Sequence, residues 1–148
     1  LGNHHLDAFV YRLNINEWDH VELTSYGMLI HNYDAADLSN RTIGLESQFR
    51  KKYGHFKTKA AVDLAFQKQQ HKKTDWIAYR KISASIAFRK IQLGLRHEKL
   101  SERSGVSFIT PLATLHKFQG WTDQFLTTPS IGLVDNSISL EWQSRCLL

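Results

Sequence analysis

The chain has 148 residues, 42% hydrophobic and 22% charged, which is long enough for one domain with its own core and carries no compositional sign of disorder or of a fibrous repeat. Its longest apolar runs are only a few residues, so a membrane-crossing helix is excluded. A formal charge of +5 suits a polyanionic partner, but basic residues gathered on one helix face or set beside an aromatic platform are missing, so nucleic acid is not expected.

The chain opens without methionine or a charged-then-apolar leader, which reads as a mature chain or a fragment. Alternation at period two begins at once. Phe9, Tyr11, Leu13 and Ile15 share one face, with Ala8, Arg12 and Asn14 on the other. Val21 to His31 is apolar on both faces, which leaves its register open. Ile43, Leu45, Ser47 and Phe49 then oppose Thr42, Gly44, Glu46, Gln48 and Arg50. Phe56, Ala60, Val62, Leu64 and Phe66 oppose Lys57, Lys59, Asp63 and Gln67, a stretch as long as a tilted membrane strand. Its Ala, Leu, Gln and Lys content also suits a helix, but the unbroken alternation predicts a strand.

Ile82, Ala84, Ile86 and Phe88 oppose Lys81, Ser83, Ser85 and Arg89, and Ile91, Leu93 and Leu95 oppose Gln92, Gly94, Arg96 and Glu98. With Arg89 and Lys90 as a two-residue turn, Phe88 faces Ile91, Ile86 faces Leu93 and Ala84 faces Leu95. A last strand carries Ile138, Leu140 and Trp142. The connections alternate between short (16–20, 50–55, 89–90) and long (32–40, 68–75, about 99–136), the layout of an outer-membrane barrel. Aromatics gather near the short-turn end at Trp18, Phe49, Tyr53, Phe56, Phe88 and Trp142, and near the other end at Tyr33, Phe66 and Trp76, as two interfacial belts would. Soluble sheets also carry aromatics near strand ends.

The long connection reads Thr110-Pro111-Leu112-Ala113-Thr114-Leu115-His116-Lys117-Phe118-Gln119-Gly120-Trp121-Thr122-Asp123, then Phe125-Leu126-Thr127-Thr128-Pro129, Gly132-Leu133 and Asp135. This resembles the corresponding segment of alginate-export-type outer-membrane proteins. Tyr26-Gly27-Met28-Leu29, Asp34-Ala35-Ala36 and Leu38 to Leu45 are similar to the hairpin before it. The resemblance extends from about residue 6 to residue 143. The basic stretch Lys57 to Lys73, the loop at Ser101 to Gly105 and the end at Arg145 to Leu148 depart from the family pattern.

The expectation over residues 1–148 is an all-β, antiparallel up-and-down membrane barrel. It is incomplete, with about seven or eight strands of a larger barrel, because so few strands cannot enclose a porin's wide lumen. The resemblance implies a channel in the bacterial outer membrane, embedded in its lipid bilayer, that passes an anionic polysaccharide such as alginate or small anions. Lipid-facing apolar residues would place Arg12, Arg50, Lys57, Lys59, Lys81, Arg89 and Arg96 in the lumen, against Glu46, Asp63, Glu98 and Glu141. Such cations either bias the path toward anions or only solvate the lumen and tie strands together. The long loop either folds inward as a constriction, with His116, Lys117, Trp121 and Asp123 meeting the solute, or packs on the barrel through Phe118, Trp121, Phe125 and Leu126.

Eight histidines match no ligand spacing and Cys146 is alone, so neither a metal, another cofactor nor a disulfide is expected. No nucleophile or acid/base signature is present, so the chain reads as not an enzyme. The alternative is a soluble, lipocalin-like barrel that turns the same apolar faces inward around a small apolar ligand.

Overall fold

A computed structural model describes residues 5–72, 75–110 and 128–142. Among them are strands β1 (Leu6–Trp18), β2 (Val21–Asn32), β3 (Asn40–Tyr53), β4 (Phe56–Gln69), β5 (Ile77–Phe88), β6 (Ile91–Leu100), β7 (Glu102–Arg103), β8 (Val106–Ser107) and β9 (Leu133–Trp142). A short 3-10 turn, Ala36–Leu38, lies between β2 and β3. Seven strands form one antiparallel meander in the order β1-β2-β3-β4-β5-β6-β9, and β7 and β8 pair as a small separate hairpin. The period-two alternation therefore does specify strands throughout, including Phe56–Gln69 with its helix-compatible composition.

The β5–β6 hairpin has the expected register: Phe88 opposite Ile91, Ile86 opposite Leu93, Ala84 opposite Leu95. Arg89 takes φ +52° to close that turn. This is a left-handed conformation that a non-glycine residue adopts at some cost. Gly54 makes the equivalent turn at φ +55° without it.

The strands run past their expected ends. The connection expected over 16–20 shrinks to Asp19 and His20, with a bulge between Ile15 and Trp18. That over 50–55 shrinks to Gly54 and His55. The 99–136 loop starts after Leu100 and ends before Leu133, with β7 and β8 inside it. Backbone ladders continue wherever a partner chain is adjacent, whereas the apolar pattern stops where the band it builds stops.

The ends of the pairings far from the short turns step down across the sheet. They run from Leu6–Asn32 through Ile30–Asn40 and Asn40–Gln69 to Gln67–Ile77, Tyr79–Leu100 and Leu100–Leu133. Followed through the register, this is a fall of about six residues over five strand spacings, about 20 Å along the strands against about 24 Å across them. The corresponding tilt is about 40°, that of strands in closed barrels. The sheet is nevertheless open, with β1 and β9 as its edges.

The two faces differ in kind. On one, Phe9, Leu13, Leu29, Ile43, Leu45, Leu64, Phe66, Ile82, Ile86, Leu93, Leu95, Ile138 and Leu140 are all exposed. The other is polar and better covered: Thr24, Asn40, Thr42, Gln67, Gln69 and Glu98 are buried there. The register left open in β2 resolves on this basis, with Val21, Leu23 and Leu29 on the apolar face and Tyr26, Met28 and Ile30 on the polar one. In water this is an inverted protein.

Candidate functional site

The polar face is held by hydrogen bonds that cross strands. Tyr26 Oη donates to Asp63 at 2.7 Å, from β2 to β4 over the intervening β3. It can do so because position 44 is glycine: a Cβ there would lie 2.2 Å from the Tyr26 ring. The aromatic ring covers the bare backbone of a strand that a glycine would otherwise weaken. Tyr79 Oη donates to Glu98 at 2.8 Å, and Arg96 Nη2 meets Asp135 at 2.9 Å. Arg12 Nη2 approaches Glu46 at 3.5 Å.

Charge on this face is sorted by height. Glu46, Asp63, Lys81, Glu98 and Asp135 are register neighbours on five successive strands, so the middle of the face is a carboxylate row interrupted by Lys81. Nearer the short turns, Arg50 stands directly opposite Lys59, and Lys52 directly opposite Lys57. Like charges in cross-strand pairs are destabilising, and relief from carboxylates is slight. Arg50 has Glu22 only at 3.8 Å with both side chains substantially exposed.

Between the carboxylate row and these pairs the face encloses a groove of about 950 Å³, lined in part by Glu46, Arg50, Lys59, Asp63, Lys81 and Arg96. A smaller one of about 220 Å³, at the turn end, is lined by His55, Lys57, Lys59, Arg89, Lys90 and Glu141 among others. Among the described residues the buried Nε–H of Arg96 has no acceptor.

The root of the long loop folds onto this face. Phe108 and Val106 bury themselves against Ala65, Ile77, Tyr79 and Leu100, with the Phe108 and Tyr79 rings 5.4 Å apart. Gln67 secures it: its Nε2 donates to Ile109 O and its Oε1 accepts from Ile109 N, both at 2.8 Å, imitating one rung of a sheet. Gln69 Nε2 adds a bond of 3.0 Å to Ser107 O. The returning chain passes at Gly132, where φ is +80° and any Cβ would meet Leu100 O at 2.6 Å. Ser107 Oγ donates to Thr128 O at 3.2 Å, which holds the two ends of the loop together. Gln67→Ala should therefore expose the Ile109 amide to rapid hydrogen exchange and cost about 1–3 kcal/mol, the penalty for leaving buried backbone groups unpaired. Unchanged protection of Ile109 would rule out this anchor.

Of the cations expected in a lumen, Arg12, Arg50, Lys57, Lys59, Lys81 and Arg96 share the polar face. Arg89 does not join them on a strand. The two-residue turn turns it aside, and its guanidinium lies 5.3 Å from the Phe88 ring while still bordering the smaller groove. His116, Lys117, Trp121 and Asp123 lie outside the described residues. Lys52 was missed because β3 runs beyond the end of its alternation. Gln67 and Gln69 were missed because nothing in their spacing marks them as partners of a backbone some forty residues away. The Tyr26–Gly44 pair is a register partnership across the β2–β3 hairpin, and its signal is the alignment of those two strands.

Compared with known proteins, the chain matches no family model, no curated protein and no solved structure.

Proposed function

We propose that this chain forms wall strands of a bacterial outer-membrane β-barrel that passes anionic solutes passively along its polar face. The observation that carries the reading is the exposed apolar band and its borders. On β4 the apolar face runs from Phe56 to Phe66 before Lys68 interrupts it. Those ten residue steps cover about 33 Å along the strand. Tilted by about 40° they span about 25 Å, the height of the lipid-facing band of outer-membrane barrels.

Trp18, Phe49, Tyr53, Phe56, Phe88 and Trp142, all exposed, edge the band near the short turns, with the Phe56 and Phe88 rings stacked at 4.6 Å. Such a row is what an interfacial girdle requires. The resemblance of residues 110–135 to the alginate-export segment supports the same assignment and suggests acidic sugars as the solute. A small-ligand barrel would need the apolar side chains turned inward, and here they face away from the grooves.

The like-charge pairs Arg50–Lys59 and Lys52–Lys57, of which among the described residues only Arg50 has a carboxylate partner, Glu22 at 3.8 Å, would raise the local anion concentration at the turn-side mouth. The inward root of the long loop would narrow the path from the other side. With a secretory leader attached, the chain should fractionate with the outer membrane and migrate differently in gels before and after boiling. A stable, water-soluble monomer would overturn the proposal.

A further inference from the structure

The apolar face ends, on the side of the long loops, in cations set in pairs. Arg41 stands directly opposite Lys68, and Arg80 directly opposite Lys99. All four point to the same side of the sheet as Leu45, Leu64, Ile82 and Leu95, away from the grooves. Arg80 lies four residues nearer the short turns than Lys68 in the register. A strand tilt of about 40° recovers part of that step between the two pairs, which lie two strand spacings apart, and leaves the β5–β6 pair about 4 Å nearer the short turns, at the upper border of the apolar band.

Each pair juxtaposes like charges, which costs stability in an isolated sheet. Among the described residues none of the four makes a salt bridge. The nearby carboxylate of Asp75 is taken by Arg103 at 3.1 Å. Trp76 stands in the same row, with the Arg41 guanidinium 5.3 Å from its ring. The short-turn border of the same face is built differently, from aromatic rings around Lys51, whose register partner is Thr58 and whose ammonium lies 4.7 Å from the Tyr53 ring.

An apolar surface capped by uncompensated cations is the complement of an amphiphile whose apolar tails lie along the band and whose head is anionic. We infer that Arg41, Lys68, Arg80 and Lys99, flanked by Trp76, form a docking belt for phosphate-bearing lipids of the leaflet on the long-loop side. The inference rests on the barrel reading above. Phosphates bridging each pair would turn two repulsions into charge-assisted hydrogen bonds, and the arginines would grip them in two-pronged fashion. The belt is distinct from the anion path, because it lies on the opposite face of the sheet.

The test uses the chain with Trp18, Trp121 and Trp142 replaced by Phe, so that Trp76 alone fluoresces, refolded into phosphatidylcholine vesicles. Brominated phosphatidylglycerol should compete for the surroundings of Trp76 at least about fivefold better than brominated phosphatidylcholine, roughly the preference that one basic residue confers near an anionic surface. Arg41→Gln with Lys68→Gln, and separately Arg80→Gln with Lys99→Gln, should each lower that ratio, and the four together should bring it to about one. Among the described residues these side chains make no ion pair, and the parent ratio stands without the variants. Excess inorganic phosphate should leave the ratio unchanged; if it abolishes the ratio, the site takes the free ion and the lipid assignment is overturned. Equal quenching by both lipids would overturn the belt while leaving the barrel intact. A Trp76 that neither lipid quenches would overturn the barrel reading as well.

Discussion

Leu93→Arg, and separately Leu64→Arg, should abolish stable insertion of the chain into bilayers. Both leucines are 43% exposed on the apolar face, Leu93 between the aromatic row and the cation pairs and Leu64 directly opposite Arg80 near the long-loop border of the band. Arginine on a lipid-facing strand costs about 2–4 kcal/mol near the bilayer midplane. That is a large part of what a domain has to spare. In water the same substitution on an already exposed face would cost little and would raise solubility.

Ser85→Arg, on the polar face of β5, should leave insertion intact. The measurement is the fraction of chain that floats with vesicles after refolding, with heat-modifiable migration as the sign of a folded barrel. If Leu93→Arg and Ser85→Arg float equally well, neither face is lipid-facing and the proposed function fails.

Lys57→Glu with Lys59→Glu should reverse charge selectivity and, at the same time, stabilise the β3–β4 hairpin. The substitutions convert Lys52–Lys57 and Arg50–Lys59 from like-charge into opposite-charge pairs. Each conversion is worth about 0.2–1 kcal/mol. If those cations merely solvate the wall, removing their repulsion is pure gain and selectivity stays as it was. If they concentrate anions at the mouth, the reversal potential under a salt gradient changes sign while the melting temperature in detergent rises. Opposite movement of function and stability is the outcome that distinguishes an anion path from a charged surface.

What could be read from the sequence follows from what produces each feature. Strand identity and the β5–β6 register come from side chains alternating about a backbone, and Phe88, Ile86 and Ala84 found their partners because one short turn leaves no freedom to slip. Six of the seven cations took the polar face from parity alone, since a residue next to one on the apolar face must point the other way. Arg89 escaped parity because it belongs to a turn.

Sorting of charge by height needs inter-strand register as well, and the carboxylate row of Glu46, Asp63, Glu98 and Asp135 combines four strands whose turns differ in length. The inward root of the loop was beyond reach in a stronger sense. Val106 and Phe108 look like any apolar residues in a loop, and their destination depends on a cavity that exists only once Tyr79, Ile77 and Leu100 have been brought side by side.

The open sheet has one further consequence. Among the described residues β1 and β9 each present a row of backbone donors and acceptors with no strand beyond them, and in hydrocarbon every such group left alone costs several kcal/mol. The two edges therefore behave as free valences: a membrane-resident form must saturate both, with strands of this chain beyond those described or of other chains. In water the same valences, lying beside a broad apolar surface, offer a template to any passing strand. A sheet whose edges close only in a membrane would therefore have to be shielded in water until both are paired.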